Sequence, residues 1–175
     1  MNRRPHLREP VWRTVRQPAS VSPPAALLPW LQDGSSLTQR LVDRCGPAFR
    51  VELIKQARIR PTPGEAFALG LRPGAFALLR EVYLCCGTER WVYARTLIPD
   101  ATARGRYRRL QRLGERSLGG FLFAHPLIAR GPFQVALATV TAVGEPVWAR
   151  RSVFQVSGRR LMVSEYFLPA FTRTL

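Results

Sequence analysis

The stretch that most limits what this chain can fold into runs from Ala75 to Pro99, AFALLREVYLCCGTERWVYARTLIP. Two runs of strand-favouring residues flank Gly87-Thr88-Glu89-Arg90, the pattern of a β-hairpin with a short polar turn. Successive strand side chains point to opposite faces, so Phe76, Leu78, Arg80, Val82 and Leu84 share a face that is apolar except for one guanidinium. Taking an unpaired ion out of water is costly, so Arg80 must meet a carboxylate, either from the protein or from a ligand. The second strand poses a similar problem, with Arg95 in the row of Trp91, Tyr93 and Leu97.

The remaining chain predicts the elements around this hairpin. Residues 1–25 are rich in arginine and proline, with Pro5, Pro10, Pro18, Pro23 and Pro24 breaking any regular period, and read as a flexible leader. Residues 26–175 read as one domain. Ser36 to Gln39 has the form of a capping box, after which Leu37, Leu41, Val42 and Cys45 trace a helical face that Gly46 and Pro47 end. Phe49 to Ile59 alternates as a strand. Arg60 to Gly64 breaks it, and 64–74 read as irregular with one helical turn near Glu65 to Leu69. Tyr107, Leu110 and Leu113 suggest a helix ended by Gly114, and Ser117 suggests a cap before a short apolar turn. Gly119-Gly120 permits close backbone approach, to another element or to a ligand. Phe133 to Val140, Pro146 to Val156 and Leu161 to Leu168 read as strands, the last two joined by a turn at Ser157 to Arg160. In the last strand Glu165 stands alone in the apolar row of Leu161, Val163 and Phe167. The expected fold class is α+β, with a single antiparallel sheet of about six strands and helices gathered between them.

Composition narrows the function classes. A length of 175 residues, 46% hydrophobic and 22% charged, is that of a globular chain able to bury a core without metal or disulfide. The net charge of +16 would attract polyanions, but Lys55 is the only lysine, the arginines are scattered, and there is no recognisable reading module. Nucleic acid is therefore not the expected partner. Cys45, Cys85 and Cys86 are odd in number, and neighbours in one strand face apart, so Cys85 and Cys86 should not bond to each other and a reducing cytoplasm fits best. No apolar run reaches the roughly 20 residues of a membrane span, and no secretory signal is visible. There is no phosphate loop, no metal-spaced Cys or His cluster and no nucleophile elbow, while His6 lies in the leader and His125 precedes Pro126 with no acidic partner nearby. No metal is expected. Arg80, Arg95 and Glu165 remain, and for Arg80 and Glu165 two arrangements are open: a mutual ion pair tying two strands together, or the two ends of a pocket for a small anion. Leu118, on periodicity alone, is a core leucine.

An ordered set of short motifs adds to this. Pro29-Trp30-Leu31, Ser36 to Arg40, Leu79-Arg80-Glu81-Val82-Tyr83-Leu84-Cys85, Ala94 to Pro99, Leu113-Gly114, Ser117-Leu118-Gly119, Phe121-Leu122-Phe123 and Glu165 to Pro169 together resemble the chorismate pyruvate-lyases, which make 4-hydroxybenzoate for ubiquinone. The resemblance implies an antiparallel sheet whose helical flaps enclose a buried ligand cavity, and a cytoplasmic lyase, expected as a monomer, working without cofactor. It implies that Arg80 binds the ring carboxylate, that Glu165 meets the hydroxyl at the other end of the ring, and that main-chain groups at Leu37 and Leu118 complete the site. Leu37 replaces the methionine of the best-known form, and Ala94 a glycine. Arg95 is the candidate for the second substrate carboxylate or for supporting the site. Sensor domains of some transcription regulators share the architecture, so a non-catalytic domain binding small aromatic acids is the alternative.

Overall fold

A computed structural model describes residues 9–14, 21–123, 128–141 and 143–175. Eight strands form one antiparallel sheet: β1 (Arg13–Thr14), β2 (Phe49–Ile59), β3 (Ala77–Cys86), β4 (Glu89–Pro99), β5 (Ile128–Arg130), β6 (Gln134–Thr139), β7 (Pro146–Val156) and β8 (Arg159–Phe167). Their order is β1-β6-β7-β8-β4-β3-β2, and β5 pairs with the end of β7 beyond β6. The six strands expected from alternation are all present. The two additional ones, β1 and β5, span two and three residues, too few to display a period of two.

Each face of the sheet is covered differently. On one, α1 (Leu28–Gln32), α2 (Leu37–Cys45) and α5 (Pro169–Thr172) bring Leu31, Leu37, Leu41 and Phe171 onto Val82, Leu84, Val92 and Phe167. Further along the same face α4 (Leu118–Phe123) sets Leu118 and Leu122 against Ile98, Phe154 and Val163. On the opposite face α3 (Pro63–Leu69) packs Leu69 against Leu79, Leu97 and Met162, beside a cluster of Tyr83, Tyr93 and Tyr166.

Several local expectations are revised. Ser36 Oγ accepts from the Gln39 N–H at 3.3 Å, but the Gln39 side chain turns to Asp43, so α2 has half a capping box. The full box belongs to α3, where Thr62 and Glu65 exchange both bonds; the prolines that seemed to forbid order there place Pro63 in the first turn, where its missing N–H costs nothing. Gly105–Arg112 is a 3-10 helix, in keeping with the three-residue spacing of 107, 110 and 113; the side chain of Tyr107 lies outside what is described. Trp91 is the extra residue of a bulge between Leu84/Val92 and Cys85/Arg90, which moves it from the row of Arg95 to the α5 face, against Phe171.

Cys45 and Cys86 form a disulfide, tying the end of α2 to the end of β3, while Cys85 is free and buried. The adjacent cysteines do not bond to each other; the pairing across 41 residues of sequence was not foreseen. Within the expected leader, Arg13 and Thr14 pair with Val135 and Gln134 of β6, and Trp12 packs edge-on against Tyr166. Residues 1–8 and 15–20, with His6, and residues 124–127, with His125, lie outside the described residues. Among the described residues no helix is long and apolar enough to cross a membrane.

Candidate active site

Strand register builds the site. Val82, Ala94, Glu165 and Arg150 lie in one cross-strand row on β3, β4, β8 and β7, and Arg80, Thr96, Val163 and Ser152 form the next. All point to the face beneath α2 and α4. Arg80 and Glu165 are thus two strands apart, about 10 Å at the usual inter-strand spacing, and offset by one pair. Ala94, Thr96 and Val163 form the floor between them, and with Leu37 and Thr38 of α2 and Leu118 and Gly119 of α4 they line a pocket that Arg80 and Glu165 both enter.

Arg80 is 2% exposed, and its Nη2 donates to the carbonyls of Gly114 and Arg116, each at 2.8 Å. Its Nε is buried with no hydrogen-bond partner, and no carboxylate among the described residues pairs with it. Burial pushes its pKa below the ordinary arginine value. A direct Arg80–Glu165 ion pair is absent. Glu165 instead accepts from Arg150 Nε at 2.6 Å, and Arg130 Nη2 stands 4.0 Å from the same oxygen. Arg150 is anchored in turn, donating from Nη1 to the carbonyls of Trp30, in α1, and of Asp33, which caps its end.

Leu37 is the first residue of α2 and Leu118 the first of α4, positions whose backbone N–H groups have no partner within the helix. The two helices meet here: a Cβ on Gly119 would come within 3.0 Å of Ser36 Oγ and 3.1 Å of Thr38 Oγ1. Of the two approaches open to this glycine, that of a second element is present. Ser117 Oγ is buried with no partner, so it does not serve as the cap that its position suggested.

Arg95 is not brought to this site. It lies on the opposite face, donating from Nε to Glu65 at 2.7 Å and from Nη1 to Glu81 at 2.8 Å, while the Tyr93 hydroxyl donates to the same Glu81 oxygen at 2.6 Å. Burial opposes its charge, but Glu65, with Tyr93 and Glu81, outweighs burial and raises its pKa. Parity along β4 carries this information: Ala94 and Thr96 face the pocket, so Arg95 cannot. Sequence reasoning missed Arg130 and Arg150, the first because its strand has three residues, the second because it was counted among scattered arginines although alternation sets it apart from Arg151.

The family described as Chorismate lyase matches residues 7–175. The chain belongs to the chorismate lyase family. A protein of Methylococcus capsulatus named "Probable chorismate pyruvate-lyase" is 42% identical over 151 residues, covering 81% of this chain and 93% of the relative. One of the same name from Aromatoleum aromaticum is 40% identical over 183 residues, covering 97% and 96%. Among solved structures, the effector domain of PhnF from Mycobacterium smegmatis is similar with a TM-score of 0.57 at 16% identity, over 79% of this chain and 91% of that one, a likeness of fold.

Proposed function

We propose that this chorismate lyase family member converts chorismate to 4-hydroxybenzoate and pyruvate, a step towards ubiquinone, in the pocket between Arg80 and Glu165. The observation that carries the reading is Arg80: a buried cation with no carboxylate partner among the described residues, facing a pocket whose far end holds a carboxylate of its own. A ligand carboxylate supplies the anion Arg80 lacks, bound through the guanidinium edge that the two carbonyls leave open. Glu165, held by Arg150, accepts the hydroxyl para to that carboxylate. Leu37 and Leu118 present main-chain groups from the helices that cover the ring.

The chemistry asks little of the protein beyond position. The ether bond at C3 breaks, the hydrogen on C4 leaves, and the ring becomes aromatic; if that hydrogen passes to the methylene carbon of the departing side chain, pyruvate forms directly and atoms balance without an external base. Aromatisation supplies the driving force, so holding one conformer away from water is the protein's main contribution. We place the activity in the cytoplasm on the strength of the family alone, since the Cys45–Cys86 disulfide removes the argument from a reducing compartment, and assign it to a single chain because every residue invoked comes from one copy.

Purified protein incubated with chorismate should release 4-hydroxybenzoate and pyruvate in equal amounts. Arg80→Ala should lower kcat/KM by at least about 100-fold, the scale of losing a charge-assisted bond in a dry site, with the far-ultraviolet circular dichroism of the wild type. Folded protein that makes neither product would overturn the proposal. If it binds 4-hydroxybenzoate without turning chorismate over, the sensor-like alternative, to which the shared fold lends support, takes its place.

A further inference from the structure

Chorismate carries two carboxylates, and only one is accounted for by Arg80. Resting on the lyase reading above, we propose that Arg130 binds the second, the carboxylate of the enolpyruvyl side chain. The side chain leaves the ring from C3, next to the hydroxyl-bearing C4. With the ring carboxylate on Arg80 and the C4 oxygen at Glu165, the C3 substituent must fall at the Glu165 end of the pocket. Arg130 lines the pocket at that end, its Nη2 4.0 Å from Glu165 Oε2.

The guanidinium of Arg130 is built in. Its Nε donates to Ser152 Oγ at 2.9 Å, Nη1 reaches the carbonyls of Gly34 and Ser35 at 3.3 Å, and the plane lies 4.3 Å from the ring centre of Phe133 and 4.8 Å from that of Phe154. Such a group gives up little freedom when an anion arrives. Its ion pair with Glu165 is a long one, 4.0 Å, to the carboxylate oxygen that also accepts from Arg150 at 2.6 Å. Among the lining residues two guanidiniums, Arg80 and Arg130, stand against one carboxylate, Glu165, which Arg130 shares with Arg150, so the lining carries an excess of positive charge that suits a dianion. Arg95 cannot serve, being on the other face of the sheet. The product keeps only the ring carboxylate, so Arg130 separates substrate from product: it binds the half of the molecule that departs as pyruvate.

The test compares chorismate turnover with 4-hydroxybenzoate binding in wild type, Arg130→Lys, Arg130→Gln and Arg80→Ala, and adds chorismate amidated at the side-chain carboxylate as a competing substrate. Arg130→Gln should lower kcat/KM for chorismate by about 10- to 100-fold, mainly through KM, while the Kd for 4-hydroxybenzoate stays within about threefold. Arg130→Lys should recover part of the loss, Arg80→Ala should weaken both measures, and the wild type's preference for chorismate over the amide should collapse in Arg130→Gln. The inference is overturned if Arg130→Gln turns chorismate over as the wild type does, if it loses product binding in equal measure, as a purely structural bolt to Gly34 and Ser35 would, or if the preference over the amide survives. A folded wild type that yields no 4-hydroxybenzoate overturns the lyase reading itself; a working wild type with an indifferent Arg130→Gln overturns only the role of Arg130.

Discussion

Arg150 and Arg80 are about equally deep, 1% and 2% exposed, yet they are held by opposite means. Arg150 has the Glu165 carboxylate and two carbonyls; Arg80 has two carbonyls and an unfilled Nε. Each leaves one buried nitrogen unbonded, Nη2 in Arg150 and Nε in Arg80, so what separates them is the carboxylate: Arg150 has one and Arg80 waits for an anion. Replacing Arg150 by Met should therefore cost about 3–5 kcal/mol of stability in a urea titration, because it removes the hydrogen-bonded partner of Glu165 and leaves only the longer pair with Arg130. A loss below about 1 kcal/mol would show that Glu165 is satisfied some other way. At this scale the sequence was partly legible. Alternation exposed Arg80 and Glu165 as charges in apolar rows, but whether they meet depends on how many strands lie between them, a long-range property that period-two patterning does not contain. Arg95 looked like the same kind of residue because its partners, Glu65 and Glu81, come from α3 and β3, and only register shows that they converge on it.

At the scale of elements, α2 matters most, since it roofs the pocket with Leu37 and is joined by Cys45 to the end of β3. Closing 41 residues of chain removes unfolded-state freedom, worth about 4 kcal/mol in the loop-entropy account. Reduction with a phosphine, or Cys86→Ser, should lower the urea midpoint accordingly, and an unchanged midpoint would mean that the bond constrains little. Helices with apolar faces and the six long strands could be read directly, because each repeats its period several times. The elements that could not were β1 and β5, too short to show one, while α3 was read only as a single turn near Glu65 to Leu69 and its start at Pro63 was missed. The disulfide was hidden for a different reason: it joins two segments that only the folded sheet brings together, and the adjacency of Cys85 and Cys86 drew attention to the pair that geometry forbids.

For the whole molecule, the net charge of +16 finds a use that does not require nucleic acid. A strongly positive surface speeds the arrival of a dianion, and salt screens that attraction over about 10 Å at 0.1 M. Raising ionic strength from about 20 to about 300 mM should lower kcat/KM for chorismate several-fold while leaving kcat nearly constant. A flat response would remove steering as the role of the charge. Sheet class and two charges in apolar rows, Arg80 and Glu165, were visible in the residues, and the chorismate lyase family in their order, which alone set the two charges apart; the arginines beside Glu165, Arg130 and Arg150, were not, because β5, β7 and the segment around Asp33 bring them there. The central claim is that Arg80 and Glu165 hold the two ends of one ligand, and a crystal structure of the protein with 4-hydroxybenzoate tests it most directly. The account predicts the product carboxylate within hydrogen-bond distance of Arg80 and its hydroxyl at Glu165. Density elsewhere at saturating product, or Arg80 turned onto Glu165 in a closed core, would contradict it.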